Sequence, residues 1–167
     1  VSPLQIAASY AAFANGGTYY KPYYITSITT QDGNTINYNK SGKTAMNKAT
    51  AYMITDMLKG VFTSGTGTTA KVSGIYEAGK TGTVKYSDAD LVKYPSYSST
   101  PKDSWFVGYT KQYSIGIWTG YDNLKDGTIS GVGQYSAQLI YKYMMPYLMA
   151  DEDSTDWEMP ATVVKKR

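Results

Sequence analysis

Two β-rich runs, 105–109 (WFVGY) and 113–121 (YSIGIWTGY), are separated by only Thr110, Lys111 and Gln112. Three residues cannot carry a crossover, so the runs must pair antiparallel as a hairpin. A third run, 78–86 (AGKTGTVKY), precedes them across a polar stretch, 87–103, that contains Pro95 and Pro101 and reads as a long loop. Helical patterns flank this block. Ser2, Pro3 and Gln5 form a capping box with proline at the first helical position, opening an Ala-rich helix over 4–13 that Asn15-Gly16-Gly17 stops. It is apolar nearly all round, which suggests burial in a parent domain. Residues 19–30 read as a strand with Pro22 near its start, 31–34 (QDGN) as a turn, and 35–38 as a short return strand. Asn47 caps a second helix whose apolar stripe is Ile54, Met57, Leu58 and Val61, ended by Ser64-Gly65. Residues 134–148 form a further helix, bent or ended near Pro146. Helix, hairpin, helix, three successive strands and helix give an α+β fold, an antiparallel sheet flanked by helices. The domain runs over 1–150. An acidic then basic tail, 151–167, is tied down at best by Trp157 and Met159.

Composition removes several kinds of chemistry. There is no histidine and no cysteine among the 167 residues. A Ser-His-Asp triad, a cysteine nucleophile and a thiolate metal site are therefore impossible within this chain. No metal site and no cofactor are expected. Proton transfer must rely on Lys, Asp, Glu or Tyr. The net charge of +3 is mild and its lysines alternate with acids, so no nucleic-acid partner is expected. No apolar run approaches a membrane span. The 18 tyrosines suit strand faces, with a sugar-stacking surface as the alternative.

Residues 74–84, GIYEAGKTGTV, satisfy two motifs at once. As G-x-x-x-x-G-K-T they match a phosphate-binding loop; as K-T-G they match part of the signature of penicillin-recognising serine enzymes. A phosphate loop must feed a helix, yet Gly82, Thr83, Val84 and Tyr86 follow Lys80, and these favour a strand. The loop interior would also place the Glu77 carboxylate where phosphate charge belongs. The strand reading stands: an exposed edge that can take an extended peptide, with Lys80 as a fixed cation, Thr81 and Thr83 as hydroxyls, and Gly79 and Gly82 permitting close approach.

Four blocks in order, 1–25 (VSPLQIAASYAAFANGGTYYKPYYI), 50–68 (TAYMITDMLKGVFTSGTGT), 78–83 (AGKTGT) and 103–123 (DSWFVGYT…IGIWTGYDN), resemble the C-terminal half of the transpeptidase domain of class A penicillin-binding proteins. The resemblance runs from Val1 to about Leu148. It implies a β-lactamase/transpeptidase-like fold with a five-stranded antiparallel sheet, of which this chain is a partial domain. It implies an acyl-serine enzyme that cross-links peptidoglycan stem peptides and binds β-lactams. By matching position, Lys80 would support the donor carboxylate and the proton traffic at the serine. Thr81 and Thr83 would bind the carboxylate, Gly82 would let the ligand close on the backbone, and the Thr83 amide would be an oxyanion-hole donor.

The chain departs from the family's motif order. Neither an S-x-N nor a usable S-x-x-K is present. Ser99-Thr100-Pro101-Lys102 is a literal S-x-x-K, but it lies in a proline-containing loop after the K-T-G, and Tyr121-Asp122-Asn123 ends a strand. Both are set aside. The nucleophile is expected on an upstream part of the same protein, carrying S-x-x-K and S-x-N, because the chain opens without Met directly into a helix start. The expected location is the extracytoplasmic face of a bacterial membrane, held by an anchor outside these residues. The alternatives are a D,D-carboxypeptidase or β-lactamase of the same fold, or a non-catalytic cell-wall-binding module.

Overall fold

The computed structural model describes residues 1–38 and 41–166. Its centre is a three-stranded antiparallel sheet in the order β5-β6-β7, built from β5 (Ala78–Val84), β6 (Asp103–Tyr109) and β7 (Ser114–Gly120). The Thr110 N–H donates to the Tyr113 carbonyl at 2.8 Å and closes the β6–β7 hairpin. This is the pairing that the three-residue connection demands. Two small two-stranded sheets stand apart from it. β1 (Thr18–Tyr20) pairs with β4 (Gly42–Thr44), and β2 (Ser27–Thr29) pairs with β3 (Thr35–Asn37). The α+β assignment holds. The five-stranded sheet implied by the resemblance is represented by three strands among the described residues.

Register sorts the central sheet into two faces. Thr81, Phe106 and Ile117 lie opposite one another, as do Lys80, Val107 and Gly116. The first face carries the core. Phe106 meets Tyr141 of α4 (Ser136–Leu148) at 5.0 Å between ring centroids, and Phe62 of α2 (Lys48–Thr63) at 5.7 Å edge-on. Ala137, Met145 and Met149 complete the cluster. On the second face α1 (Pro3–Ala14) lies across the sheet: the Ser114 hydroxyl donates to the Ala7 carbonyl at 2.8 Å, and Tyr10 packs against Tyr109. The capping box of Ser2 and Gln5 forms as expected. Ala12 is buried, whereas Leu4 at the start of α1 is 58% exposed, so the apolar helix is only half covered by the described residues.

Several sequence expectations are corrected. The strand read over 19–30 is two strands in two different sheets. Pro22 cannot donate to a ladder, and 21–26 runs irregularly between them. The buried line of α2 is Ala51, Thr55 and Phe62, while Met57 of the expected stripe is 68% exposed. Small residues let the helix approach closely, and the Thr55 hydroxyl is satisfied by Tyr109 at 3.0 Å, so a polar position turns inward. The stretch 87–103 is not wholly irregular. Ser87 and Asp90 form a capping box that opens α3 (Asp88–Lys93), aspartate taking the role usually given to glutamate. The last helix begins at Ser136 after a short 3-10 turn and continues two residues past Pro146.

The segment from 151 onward is anchored at more points than Trp157 and Met159. The Trp157 indole donates to the Ala14 carbonyl at 2.9 Å and its ring meets Tyr109. Lys59 pairs with Asp156 at 3.0 Å, the Ser154 hydroxyl accepts the Tyr76 N–H at 2.8 Å, and Gln112 donates to the Asp153 carbonyl. Met159 is half exposed. Arg167 of the basic end lies outside the described residues.

Candidate active site

β5 is an edge strand: β6 lies on one side, and no described strand pairs with the other. The hairpin bond fixes which backbone groups face that open edge. The Thr110 N–H bonds to the carbonyl of Tyr113 directly opposite, while the Tyr113 N–H goes to the Thr110 hydroxyl, so by alternation Gly108, Phe106 and Ser104 bond toward β7. Val107, Trp105 and Asp103 therefore bond toward β5, and their partners there are Lys80, Gly82 and Val84. The Lys102 N–H donating to the Val84 carbonyl at 2.8 Å agrees with this parity. What remains for the open edge is the backbone of Gly79, Thr81 and Thr83. The Thr83 amide thus points away from the sheet, where a bound acyl group could reach it.

Side chains follow the opposite alternation. Lys80 is exposed and projects from the face that α1 covers, and its ammonium donates to the Thr81 carbonyl at 2.9 Å, which brings the cation to the open edge. A cavity of about 200 Å³ lies beside it, between Ile6 and Tyr10 of α1 and Lys80, Trp105 and Val107 of the sheet. On the other face Thr81 and Thr83 line a cleft of about 460 Å³ with Thr66, Thr68, Tyr135 and Gln138. The strand therefore carries a cation on one face, hydroxyls on the other, and outward-facing peptide groups along the edge between them.

Thr66 and Gln138 belong to this arrangement, and sequence reasoning missed both. The Thr66 and Thr81 hydroxyls share a hydrogen bond of 2.5 Å, and the Gln138 amide donates to the Thr66 carbonyl at 3.2 Å. Gln138 is buried on α4 and its side-chain oxygen has no partner among the described residues. The GTG turn at 65–67 was a visible signal, but nothing in the sequence says that it folds back 15 residues onto the K-T-G strand.

Gly79 serves packing rather than access. Gly79 is buried, and a Cβ there would overlap the Val107 carbonyl oxygen and lie 3.1 Å from the Phe62 ring. The expectation that it admits a ligand is corrected accordingly. At Gly82 a Cβ would lie 3.1 Å from the Trp105 Cβ. Ser99 sits in an exposed turn after a 3-10 segment, not at the start of a helix. A serine that opens a buried helix is not what Ser99 is.

A family model described as "Penicillin binding protein transpeptidase domain" matches residues 1–145. The chain belongs to this family. Among its curated relatives, penicillin-binding protein 1A of Streptococcus oralis is 46% identical over 156 residues, covering 93% of this chain and 24% of that protein. Penicillin-binding protein 1A/1B of Bacillus subtilis is 42% identical over 167 residues, covering 99% of this chain and 18% of that protein. The chain thus spans about a quarter or less of the length of these relatives. The penicillin-binding protein PonA1 of Mycobacterium tuberculosis has a similar structure, with TM-score 0.71 at 22% identity over 97% of this chain and 44% of that one. At that identity the likeness speaks for the fold. The resemblance to class A penicillin-binding proteins read from four sequence blocks is borne out by these relatives. Within the transpeptidase family, the K-T-G strand of this chain is the open-edged β5.

Proposed function

We propose that this chain supplies the substrate-clamping wall of a peptidoglycan D,D-transpeptidase that works through an acyl-serine and takes β-lactams as pseudo-substrates. The observation that supports this most is the parity of β5: Thr81 and Thr83 turn their backbone outward beside the Lys80 ammonium. An extended peptide ending in D-Ala-D-Ala can add to that edge as a strand. Its terminal carboxylate meets Lys80 and the Thr81 and Thr83 hydroxyls, and the scissile carbonyl oxygen meets the Thr83 amide. The nucleophile is a serine on another part of the protein. Its oxygen bonds to the penultimate carbonyl carbon, and the C–N bond breaks as terminal D-Ala leaves with a proton on its amine. An amine of a second stem peptide then displaces the serine, which recovers its proton. In a β-lactam the leaving amine stays tethered, so the ester persists. The protein is placed on the extracytoplasmic face of the membrane by an anchor outside these residues; among the described residues no helix is long and apolar enough to cross a membrane.

Fluorescent penicillin tests this on the full-length protein. Covalent, saturable labelling that unlabelled penicillin blocks is the expected result. No labelling would favour a binding module and end the enzyme reading. Supplying an amine acceptor with a stem-peptide donor separates transpeptidation from carboxypeptidase or β-lactamase action, in which water takes the acyl group.

The Thr66–Thr81 bond adds a second expectation. If Thr66 donates, the Thr81 hydroxyl keeps its own hydrogen for the ligand carboxylate. Thr66→Val keeps the shape and removes the donor, and labelling efficiency should fall roughly fivefold, the scale of about 1 kcal/mol of hydrogen bonding. Thr66→Ser should restore most of it. Equal labelling by all three forms would show that the bond does not orient Thr81.

A further inference from the structure

We propose that Glu77 is a positioning residue for the 80–83 wall, a buried carboxylate that ties a turn and a helix to the root of β5 and makes the wall responsive to pH. The inference rests on the function proposed above for that wall. Glu77 immediately precedes the strand and is only 5% exposed. One carboxylate oxygen accepts the Val72 N–H at 2.8 Å and closes the turn that carries Gly74 at φ 80°. The other accepts the Tyr141 hydroxyl at 3.1 Å.

Tyr141 is fully buried on α4, and its ring fills the space over Gly108, where a Cβ would overlap it. Gly108 pairs with Gly79, the residue before Lys80. Phe62 touches the Tyr141 ring on one side and closes over Gly79 on the other. A displacement of the Glu77–Tyr141 pair is therefore passed by packed rings and backbone to the start of the wall.

Glu77 has its ordinary acidity strongly altered. Burial pushes the carboxyl up to about 7, against the pull of the Val72 N–H, the Tyr141 hydroxyl and the Lys71 charge. Burial and the neighbouring carboxylate push the Tyr141 phenol upward, so it stays a donor. The other charges facing the same cavity of about 570 Å³ are Lys59 of α2 and Asp156 of the C-terminal segment. These two are paired with each other at 3.0 Å, and Lys59 also with Asp56 at 3.2 Å. An ionised Glu77 has two oxygens for two donors. Protonation removes the charge that strengthens both bonds and adds a hydrogen that competes for the same two oxygens, so both ties weaken. The sign of the linkage follows from a raised acid. Between its ordinary value of 4.5 and about 7 the folded protein binds the proton more tightly than the unfolded chain. Stability therefore falls as pH rises through that window. The ordered, ionised form costs stability and dominates above it.

The test compares the wild-type full-length protein with Glu77→Gln, measuring the second-order rate of fluorescent-penicillin acylation across a range centred on pH 7. The wild type should lose acylation severalfold on the acid side with a midpoint near 7, and Glu77→Gln should lack that transition. If the glutamine variant follows the wild-type profile, the inference is overturned whatever its absolute rate. Glu77→Asp covers the case in which the glutamine protein does not fold. It retains a titrating carboxyl and should keep the transition at a displaced midpoint, and an unmoved midpoint counts against Glu77. Hydrogen exchange at the Val72 amide, corrected for intrinsic rate, gives a readout free of catalysis. Protection should drop as pH falls through 7 in the wild type, and constant protection overturns the inference. A wild type that penicillin never labels would sink the proposed function alone, leaving Glu77 to be decided by exchange.

Discussion

Lys80→Ala is expected to slow covalent labelling by penicillin by about 100-fold or more, the scale lost when one preorganised electrostatic contact to a reacting group is removed. The size follows from where the charge sits. The Lys80 ammonium reaches the open edge of β5 through its bond to the Thr81 carbonyl, next to the outward amides of Thr81 and Thr83. A ligand carboxylate arriving there meets a cation already held in place, and little rearrangement is needed. Removing the charge leaves two threonine hydroxyls to satisfy an anion alone. The backbone should be indifferent to the change, because Lys80 is exposed and its peptide groups are held by Val107. Thermal unfolding of the variant should accordingly match the wild type within about 0.5 kcal/mol, as for surface changes generally. Lys80→Arg keeps the charge but moves it onto a longer, planar group, and an intermediate rate is expected. Wild-type labelling kinetics in Lys80→Ala would remove Lys80 from the site.

Gly79→Ala should destabilise the domain by about 2–3 kcal/mol, the range typical of forcing an extra carbon into a packed interior. In a domain of this size that corresponds to a fall in Tm of roughly 5–10 °C. The nearest atom to the new Cβ is the Val107 carbonyl oxygen, part of the β6 backbone, so no side-chain rotation relieves the contact. The Phe62 ring closes the other side at 3.1 Å and is itself locked between Phe106 and Tyr141. Relief must come from separating β5 from β6 at the residue before Lys80, so labelling should suffer as well as stability. Gly60→Ala is the matched control. Nothing lies within 4 Å of a Cβ there, and the position is inside α2, where alanine is favoured over glycine by about 1 kcal/mol. A Gly79→Ala protein as stable as the wild type would show that the strand pair tolerates a wider spacing than its geometry implies.

Local chemistry was legible wherever it was decided within a few residues. The Ser2–Gln5 capping box, the Asn47 cap, the 110–112 hairpin and the strand character of the residues after Lys80 all appear as read. The Ser87–Asp90 box was equally local, and it went unread because aspartate stood where glutamate was expected. The stripe of α2 failed for another reason. Hydrophobic periodicity assumes that polar residues face water, and Thr55 faces inward because Tyr109, 54 residues away, supplies its hydrogen bond.

The sequence by itself determined that Lys80, Thr81, Gly82 and Thr83 lie on a strand and not at a phosphate loop, because residue types after a lysine set the backbone locally. It also determined that β6 and β7 pair antiparallel, because three residues cannot cross over. Only the tertiary structure decided which edge of that strand is open and which amides face it. That parity is set by the bond at Thr110 and Tyr113, some 30 residues downstream and relayed through β6. Likewise only packing could bring Thr66 and Gln138 to the strand and Tyr141 to Glu77 at its root. Their partners lie 15, 72 and 64 residues away, and such contacts depend on how whole elements stack rather than on any spacing along the chain.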